Sequence, residues 1–480
     1  MDQISSRELG EIVNGKRIGT QDDRQVSEVV MHSGEAAPGR LFAALSEGAG
    51  DGHDYAVEAA QAGAVVLIER DLGSLPDGAT SIRVDSVLKA LHRLAAWQRG
   101  KLKESAVVIG ITGSAGKTTT RRCCEALFRS VAPNGTAAST RSYNNHIGVP
   151  LSLLRADSDT RYLVLEIGAN SPGEIADLAG LARPHIGVLL NALPVHLEGF
   201  GSVDGVVRGK GELIDAVSGD GAVVLNADDS ACDRWRRRAG QRRIVTFSAK
   251  LDSIYSADTS PQSRADVQGG MATGGTGGMN LDIHFRGHPE PLTVRPGLHG
   301  EHNRANVLAA AAAGWAAGLA PEQIIRGLEG VGAERHRGEL FRCKKDGTLV
   351  IDDSYNANPE ALKAALHLLA EQAASDNILV FGSMGELGER AAELHREVGE
   401  YAARLNFYAV LALGEYAPDF LRGFGDPKRG LLMPDLSSAA IWLDRNTPPG
   451  AAVLIKGSRA IGLDWVAQDF LRSRGGGERC

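Results

Sequence analysis

The sequence predicts an α/β protein of three domains, and three features predict it. A glycine-rich loop follows a buried strand near residue 110, a theme of apolar strand, polar turn and helix recurs on both sides of that loop, and 480 residues exceed what one core usually serves. The divisions fall at residues 1–103 for a small α/β domain, 104–332 for a central sheet of ATPase type, and 333–480 for a Rossmann-like, doubly wound sheet.

The central domain opens on a buried strand over residues 106–111 that runs into Thr112-Gly113-Ser114-Ala115-Gly116-Lys117-Thr118-Thr119. Glycines without Cβ atoms let backbone N–H groups approach a polyphosphate, and the positive end of the helix that begins there faces the same anion. Lys117 is placed to neutralise a β/γ oxygen and Thr118 to put its hydroxyl on a magnesium ion. Ile111 stands where the first glycine of G-x-x-x-x-G-K-[ST] is expected. Strand, glycines, lysine and threonine occur together in register, so the loop points to a nucleoside triphosphate, with Gly113, Ser114, Ala115, Gly116, Lys117, Thr118 and Thr119 as its cradle.

Composition narrows the partners. Hydrophobic residues make up 43% of the chain and the formal charge is -7, which supplies no basic field for nucleic acid. No apolar run reaches membrane-spanning length and the start carries Asp2, Arg7, Glu8 and Glu11, so the expectation is a soluble, cytoplasmic protein; a monomer is expected, although these residues do not bear on oligomeric state. Five scattered cysteines with no C-x-x-C pair argue for free thiols over a zinc knuckle or a disulfide frame.

In chain order, strands are expected at 41–45 and 64–68 and helices at 55–62 and 87–102 in the first domain. After the phosphate loop, Asn144-Asn145-His146-Ile147-Gly148-Val149-Pro150 reads as a polar turn before a short helix at 151–154. The strand at 162–165 ends in Glu166, and the one at 185–190 leads to His196. In an open parallel sheet the carboxyl ends of strands share an edge, which brings Gly113 to Thr118, Glu166 and His196 together. Glu166 suits magnesium, although a helix cap or solvated loop carboxylate competes; His196 suits a second ion or a phosphate, although a loop hydrogen bond competes. Lys210, on the helix that starts at Val203, is by itself a solvated charge.

Residues 256–278 read as a loose, glycine-rich insertion or hairpin, and Pro296 to Asn306 open an Ala-rich helix over 307–317. The last domain places strands at 348–351, 377–381, 407–413 and 452–455, each ending in a polar turn. Lys456 and Arg459 beside Gly457 suit an anionic group, with a bland helix cap as the competing reading.

Taken together, these stretches resemble the Mur ligases through nearly the whole chain. The most specific pieces are Thr112 to Thr118, Asn144 to Pro150, Glu166-Ile167-Gly168-Ala169-Asn170, His196-Leu197-Glu198-Gly199-Phe200-Gly201-Ser202, Gly209-Lys210-Gly211-Glu212, Glu301 to Asn306, Asp352 to Pro359 and Lys456-Gly457-Ser458-Arg459. The resemblance is closest to the members that add D-alanyl-D-alanine to UDP-N-acetylmuramoyl-tripeptide. It implies an N-terminal domain for the UDP-sugar peptide, a central ATPase domain and a C-terminal domain that closes over the nucleotide. It implies that Lys210 is carbamylated and becomes a magnesium ligand, that His196 shares this second ion, and that Thr118 and Glu166 hold the first. Asn303 and Asn306 are implied at the adenine, and Arg337, Asp353 and Asn356 where the closing domain meets the nucleotide. Ser33, Asn145, Lys456, Ser458 and Arg459 are the implied substrate contacts, with Lys117, His196 and Lys210 as the catalytic set.

Three departures stand out. The family's N-terminal Asp-Ser-Arg appears as His32-Ser33-Gly34, its Gly-Asp-Met turn as Gly382-Ser383-Met384, and its Pro-x-x-Gly-Arg entry to the last domain as Glu334-Arg335-His336-Arg337-Gly338-Glu339, which leaves Arg335 and Arg337 both open. The reaction implied is ATP-dependent amide formation through an acyl phosphate. Rivals are another amino-acid or folylpolyglutamate-type ligase of the superfamily, and a noncatalytic nucleotide-binding homologue.

Overall fold

In the computed structural model, the strand Val107–Thr112 lies between Tyr162–Glu166 and Ile186–Leu189 and pairs in parallel with both. It is apolar almost throughout because helices cover both faces of a parallel sheet. Residues 20–21, 48–49, 74, 141, 251–264, 272–278, 373 and 375 are outside the described part of the chain. The central sheet has nine strands, in the order Thr136–Ala138, Tyr162–Glu166, Val107–Thr112, Ile186–Leu189, Ala222–Asn226, Arg243–Ser248, Val267–Met271, Leu281–Phe285 and Leu292–Val294. Its first seven are parallel and the last two antiparallel. The chain leaves Val107–Thr112 towards one side of the sheet and returns to the other. At such a reversal the flanking connections diverge and open a crevice outside the strand ends.

The C-terminal sheet has seven strands, in the order Gly430–Leu432, Ala409–Leu413, Asn377–Gly382, Ala452–Lys456, Leu349–Asp353, Glu339–Cys343 and Gly477–Arg479. Five are parallel, and the last two form an antiparallel margin. Asp353, Lys456 and the turn after Gly382 therefore lie along one edge. At the N-terminus a five-stranded mixed sheet runs Lys16–Gly19, Thr80–Arg83, Val65–Ile68, Arg40–Ala43, Glu28–Val30. Its helix Val87–Lys101 docks on the central sheet's helices, and Arg99 donates to the carbonyls of Ala182 and Arg183 at 2.7 and 2.8 Å, satisfying the free end of the helix Glu174–Ala182. No helix among the described residues is long and apolar enough to cross a membrane.

Two local expectations change, and one of two alternatives is selected. Gly148-Val149-Pro150 belongs to the helix Gly148–Leu153 and not to the turn, because the Asn145 carboxamide oxygen accepts from the N–H groups of Ile147 and Gly148 and starts the helix early. The Ala-rich helix begins at His302 and takes in Asn303 and Asn306, whose side-chain amides find acceptors within the helix start: Asn303 donates to the His299 carbonyl and Asn306 to the Asn303 carboxamide oxygen. Of the two readings for 256–278, a loose insertion or a hairpin, Gly269-Gly270 follow the hairpin: they lie in the strand Val267–Met271, antiparallel to Leu281–Phe285, where a Cβ at Gly269 would come within 2.5 Å of Leu308 Cδ2. Much of that insertion, 251–264 and 272–278, lies outside the described residues.

All five cysteines are free thiols; Cys123, Cys124, Cys232 and Cys343 are buried and Cys480 is exposed. Burial pushes the Cys123 thiol up to about 12 and that of Cys343 to about 11. Titration of the native protein with an aromatic disulfide is expected to reach one fast-reacting thiol per chain, lost in Cys480→Ser; a second fast thiol would contradict this packing.

Candidate active site

Gly116 precedes the helix Lys117–Val131 with φ +84°, a left-handed conformation that glycine adopts without strain. A Cβ there would also stand 2.2 Å from Asn306 Oδ1, so two separate requirements converge on the absence of a side chain. Gly116→Ala is expected to cost about 1–2 kcal/mol in backbone strain alone and to displace Asn306, raising the KM for ATP by roughly a hundredfold as that combined cost is met on binding. An unchanged KM would show that the loop is not the nucleotide site.

Lys117 keeps part of its surface exposed, and its ammonium donates to the Gly113 carbonyl at 2.8 Å. Atoms packed around the ammonium desolvate it and draw its pKa below the ordinary lysine range, an effect that Glu166 opposes. Glu166 is 1% exposed; Asn144 donates to its Oε1 at 2.7 Å, and its Oε2 has no hydrogen-bond partner. A buried carboxylate oxygen without a donor is costly, and its position at the end of Tyr162–Glu166 faces it into the crevice beside the phosphate loop. Hard oxygen donors from Glu166 and Thr118 fit a magnesium ion. Thr118 Oγ1 lies 3.4 Å from Ser142 Oγ, and Arg337 donates to that same Ser142 hydroxyl at 2.7 Å from the C-terminal domain.

Lys210 is 1% exposed, so the solvated-charge reading fails. Its helix Val203–Ala216 is capped by Ser202, whose hydroxyl accepts from Gly205 N–H at 3.1 Å, and packs Lys210 Nζ 5.3 Å from the Phe200 ring centroid. The ammonium donates only weakly, to Ala169 O at 3.3 Å. Burial first and the charge of Lys117 second bring its pKa down to about 7, against the pull of Glu174 and Glu212. An amine that is substantially neutral near physiological pH is the form that reacts with carbon dioxide.

His196 has φ +51° and its Nδ1 lies 2.6 Å from Oε2 of Glu386, a residue of the other sheet that itself has φ +60°. The hydrogen bond from His196 holds the Glu386 carboxyl below the usual carboxylate range, although desolvation opposes it. Across the cleft Lys456 is buried and donates to Asp353 Oδ2 at 2.7 Å and to Asn356 O at 2.9 Å. Arg337 lies over the Tyr355 ring at 3.9 Å and Arg459 at 5.3 Å.

One cavity of about 560 Å³ is lined by Ser114 to Thr119, Glu166, His196, Asn303, Asn306, Arg337, Asp353, Asn356 and Lys456, drawn from both sheets. Arg335 is exposed, and Arg337 is the arginine of this entry segment that lines the cavity and reaches Ser142. Lys210 lies behind the wall, against Ala169, and Asn145 caps a helix. Ser458 and Arg459 stand beyond the cavity lining, and Ser33 is in a short 3₁₀ turn of the N-terminal domain. Ser383 sits where the family's acidic residue is expected and is consumed by structure: its hydroxyl donates to Leu413 O and accepts from Tyr416 N–H. Glu386, Ser142, Asn144 and Tyr355 are the site residues to which the sequence reading attached no role. Their signal was position alone, in polar turns that follow strands.

A phosphate loop at a topological reversal, with a second sheet supplying half of the nucleotide cavity, defines an ATP-dependent ligase of closing-domain type. The Mur ligase middle domain family matches residues 111–314, and the Mur ligase glutamate ligase domain family matches residues 336–459. A UDP-N-acetylmuramoyl-tripeptide--D-alanyl-D-alanine ligase of Mycobacterium leprae is 33% identical, over 97% of this chain and 98% of the relative. The crystal structure of MurF from Acinetobacter baumannii superposes with a TM-score of 0.82 at 26% identity, over 98% of this chain and 99% of the other. The MurF ligase of Thermotoga maritima in complex with ADP has a TM-score of 0.75 at 27% identity, over 94% and 98% of the two chains. The chain belongs to the Mur ligase family, whose members form amide bonds at the expense of ATP.

Proposed function

We infer that this protein joins D-alanyl-D-alanine to UDP-N-acetylmuramoyl-tripeptide, giving ADP, phosphate and the pentapeptide precursor of peptidoglycan, in the cytoplasm and as a monomer. The observation that carries the chemistry is the cavity itself, where Lys117, the open oxygen of Glu166, His196 and the Asp353–Lys456 pair meet from two sheets. The acceptor is supported by the full-length similarity to relatives that carry that activity in their names.

A carboxylate and an ammonium do not condense at neutral pH, because the amine is protonated and hydroxide leaves poorly. The tripeptide carboxylate attacks the γ-phosphorus of ATP, ADP departs, and the free amine of the dipeptide then displaces phosphate from the acyl phosphate. Gly113 to Thr119 cradle the phosphates, Lys117 lies against the γ-phosphoryl, and Asn303 and Asn306 meet the adenine. Thr118 and Glu166 would hold one magnesium ion, and His196 and carbamylated Lys210 a second; such ions neutralise the charge that builds on the transferred phosphoryl group. Arg337, Asp353 and Asn356 close on the nucleotide, and the enclosed cavity keeps water from the acyl phosphate. Residues 1–103 hold the UDP-sugar through the segment around Ser33, with Asn145 at the boundary with the central domain. Lys456, Ser458 and Arg459 serve the peptide substrates.

The test is phosphate release from ATP with magnesium and UDP-N-acetylmuramoyl-tripeptide, with and without D-alanyl-D-alanine, while product mass is followed. Dipeptide-dependent release with pentapeptide formation is the expected result; release indifferent to the dipeptide would overturn the acceptor.

A further inference from the structure

In the proposed reaction the acceptor carries an ammonium at one end and a carboxylate at the other, and its nitrogen has to arrive where phosphate leaves. A group that receives the ammonium therefore belongs at the phosphoryl end of the cavity, on the sheet that closes over it. Four carboxylates line this cavity: Glu166, Asp353, Glu360 and Glu386. Glu166 is buried and bonded to Asn144, Asp353 is neutralised by Lys456, and Glu360 pairs with Lys363 at 2.9 Å. Glu386 is different. Its side chain is 60% exposed, one oxygen meets His196 Nδ1 at 2.6 Å, and the other accepts no hydrogen bond among the described residues.

Its position matches the chemistry. Glu386 comes from the C-terminal sheet but lies within electrostatic reach of Lys117, at the end of the cavity where the phosphoryl group transfers. A carboxylate that faces a triphosphate and a substrate carboxylate is repelled by both, so beside His196 and Lys117 its open oxygen favours a further cation. The backbone holds it in place at φ +60°, a left-handed conformation that costs a non-glycine residue energy and persists where the surroundings determine it. Gly385 packs against the next turn: a Cβ added to it would lie 3.8 Å from Ser458 Cβ. Arg459 follows Ser458, stacks on Tyr355, and pairs with no carboxylate among the described residues. An acid in the cavity lining and a base beyond it thus stand on adjoining turns, the opposite charges that the two ends of a dipeptide require.

We propose that Glu386 receives the ammonium of the incoming dipeptide, with Arg459 on its carboxylate, so that the closing sheet selects a zwitterionic acceptor of two residues. This rests on the ligase reading given above. His196, which shares the carboxylate, fixes its orientation towards the transferred group.

The test uses the full-length enzyme with ATP, magnesium and UDP-N-acetylmuramoyl-tripeptide. In Glu386→Gln the KM for D-alanyl-D-alanine is expected to rise about 10- to 100-fold, the weight of one hydrogen bond to a charged group. The KM values for ATP and the UDP-substrate should stay within about threefold, and Glu386→Asp should recover part of the loss. Propionyl-D-alanine, which is the acceptor without its ammonium, serves as the control: its inhibition constant should be the same in wild type and Glu386→Gln, because it has no charge for Glu386 to meet. An unchanged KM for the dipeptide overturns the proposal. So does a parallel loss of propionyl-D-alanine binding, which would mark a general closing defect, or a raised magnesium requirement alone, which would mark a metal ligand. Failure of the ligase reading is separate, since it appears in wild type as turnover indifferent to D-alanyl-D-alanine.

Discussion

Lys210→Ala is expected to lower kcat by about a thousandfold or more, the scale for removing a group that stabilises transferred charge, while the KM for ATP changes little. The side chain is fully enclosed, lies near Phe200 and donates to the Ala169 carbonyl, and among the described residues no carboxylate is in bonding range to justify a buried ammonium. A simple structural lysine would not be placed there. Its carbamate, by contrast, would turn a costly cation into an acidic group able to serve as a metal ligand. Excess bicarbonate should not restore Lys210→Ala, and labelled carbon dioxide should appear on the wild-type protein and be absent from the variant. Substantial residual turnover would remove the carbamate from the mechanism.

The same residue gives a readout independent of activity. Its folded pKa, about 7, is below the ordinary lysine value of 10.5, so between these values the unfolded chain binds more protons than the folded one. Stability is therefore lowered by the full penalty below pH 7 and rises with pH across the window from about 7 to 10.5. In buffer free of carbon dioxide, the difference in unfolding free energy between wild type and Lys210→Ala should rise over that window. A flat difference would mean that the ammonium is solvated after all.

Lys117→Met is expected to reduce kcat by about a thousandfold and to leave the fold intact, because methionine fills the same volume and only the Gly113 carbonyl loses a donor. Desolvation at this lysine already works against its charge, so the ammonium gains most from an anion placed beside it. The effect should fall on chemistry more than on ADP binding, since the γ-phosphoryl gains charge as it transfers. Calorimetric ADP affinity within about tenfold of wild type, with turnover lost, would agree; lost ADP affinity with normal kcat would assign Lys117 to ground-state binding only.

The phosphate loop was legible in the sequence because its function rests on local backbone geometry: Gly116 has to be left-handed, and Lys117 and Thr118 follow within one helical turn. Strand ends were legible for a related reason, as a buried parallel strand is an unbroken apolar run and its last polar residue marks the ligand edge. Glu166 and Lys456 were located in that way, whereas Asp353 came from the family resemblance and its pairing with Lys456 from the structure. Helix starts were less so. At Gly148 the Asn145 carboxamide accepts from the first helical N–H, while at His302 Asn303 donates to the preceding His299 carbonyl, and whether an asparagine supports a helix start or breaks it depends on where its carboxamide finds partners. Gly269-Gly270 left an insertion and a hairpin both open, since glycine in a strand signals flexibility unless a helix residue such as Leu308 occupies the missing volume.

By itself the sequence determined the nucleotide loop, the alternation that builds each parallel sheet, and the order in which strand ends meet the ligand edge, because each depends on residues adjacent in the chain. Tertiary structure alone decided that Lys210 is enclosed and brought near neutrality, that Arg337 and not Arg335 reaches Ser142, and that Glu386 crosses from one sheet to His196 of the other. Burial, desolvation and contacts between separate sheets are properties of what packs around a residue, and a linear pattern carries no distance between segments nearly 200 residues apart, such as Ser142 and Arg337.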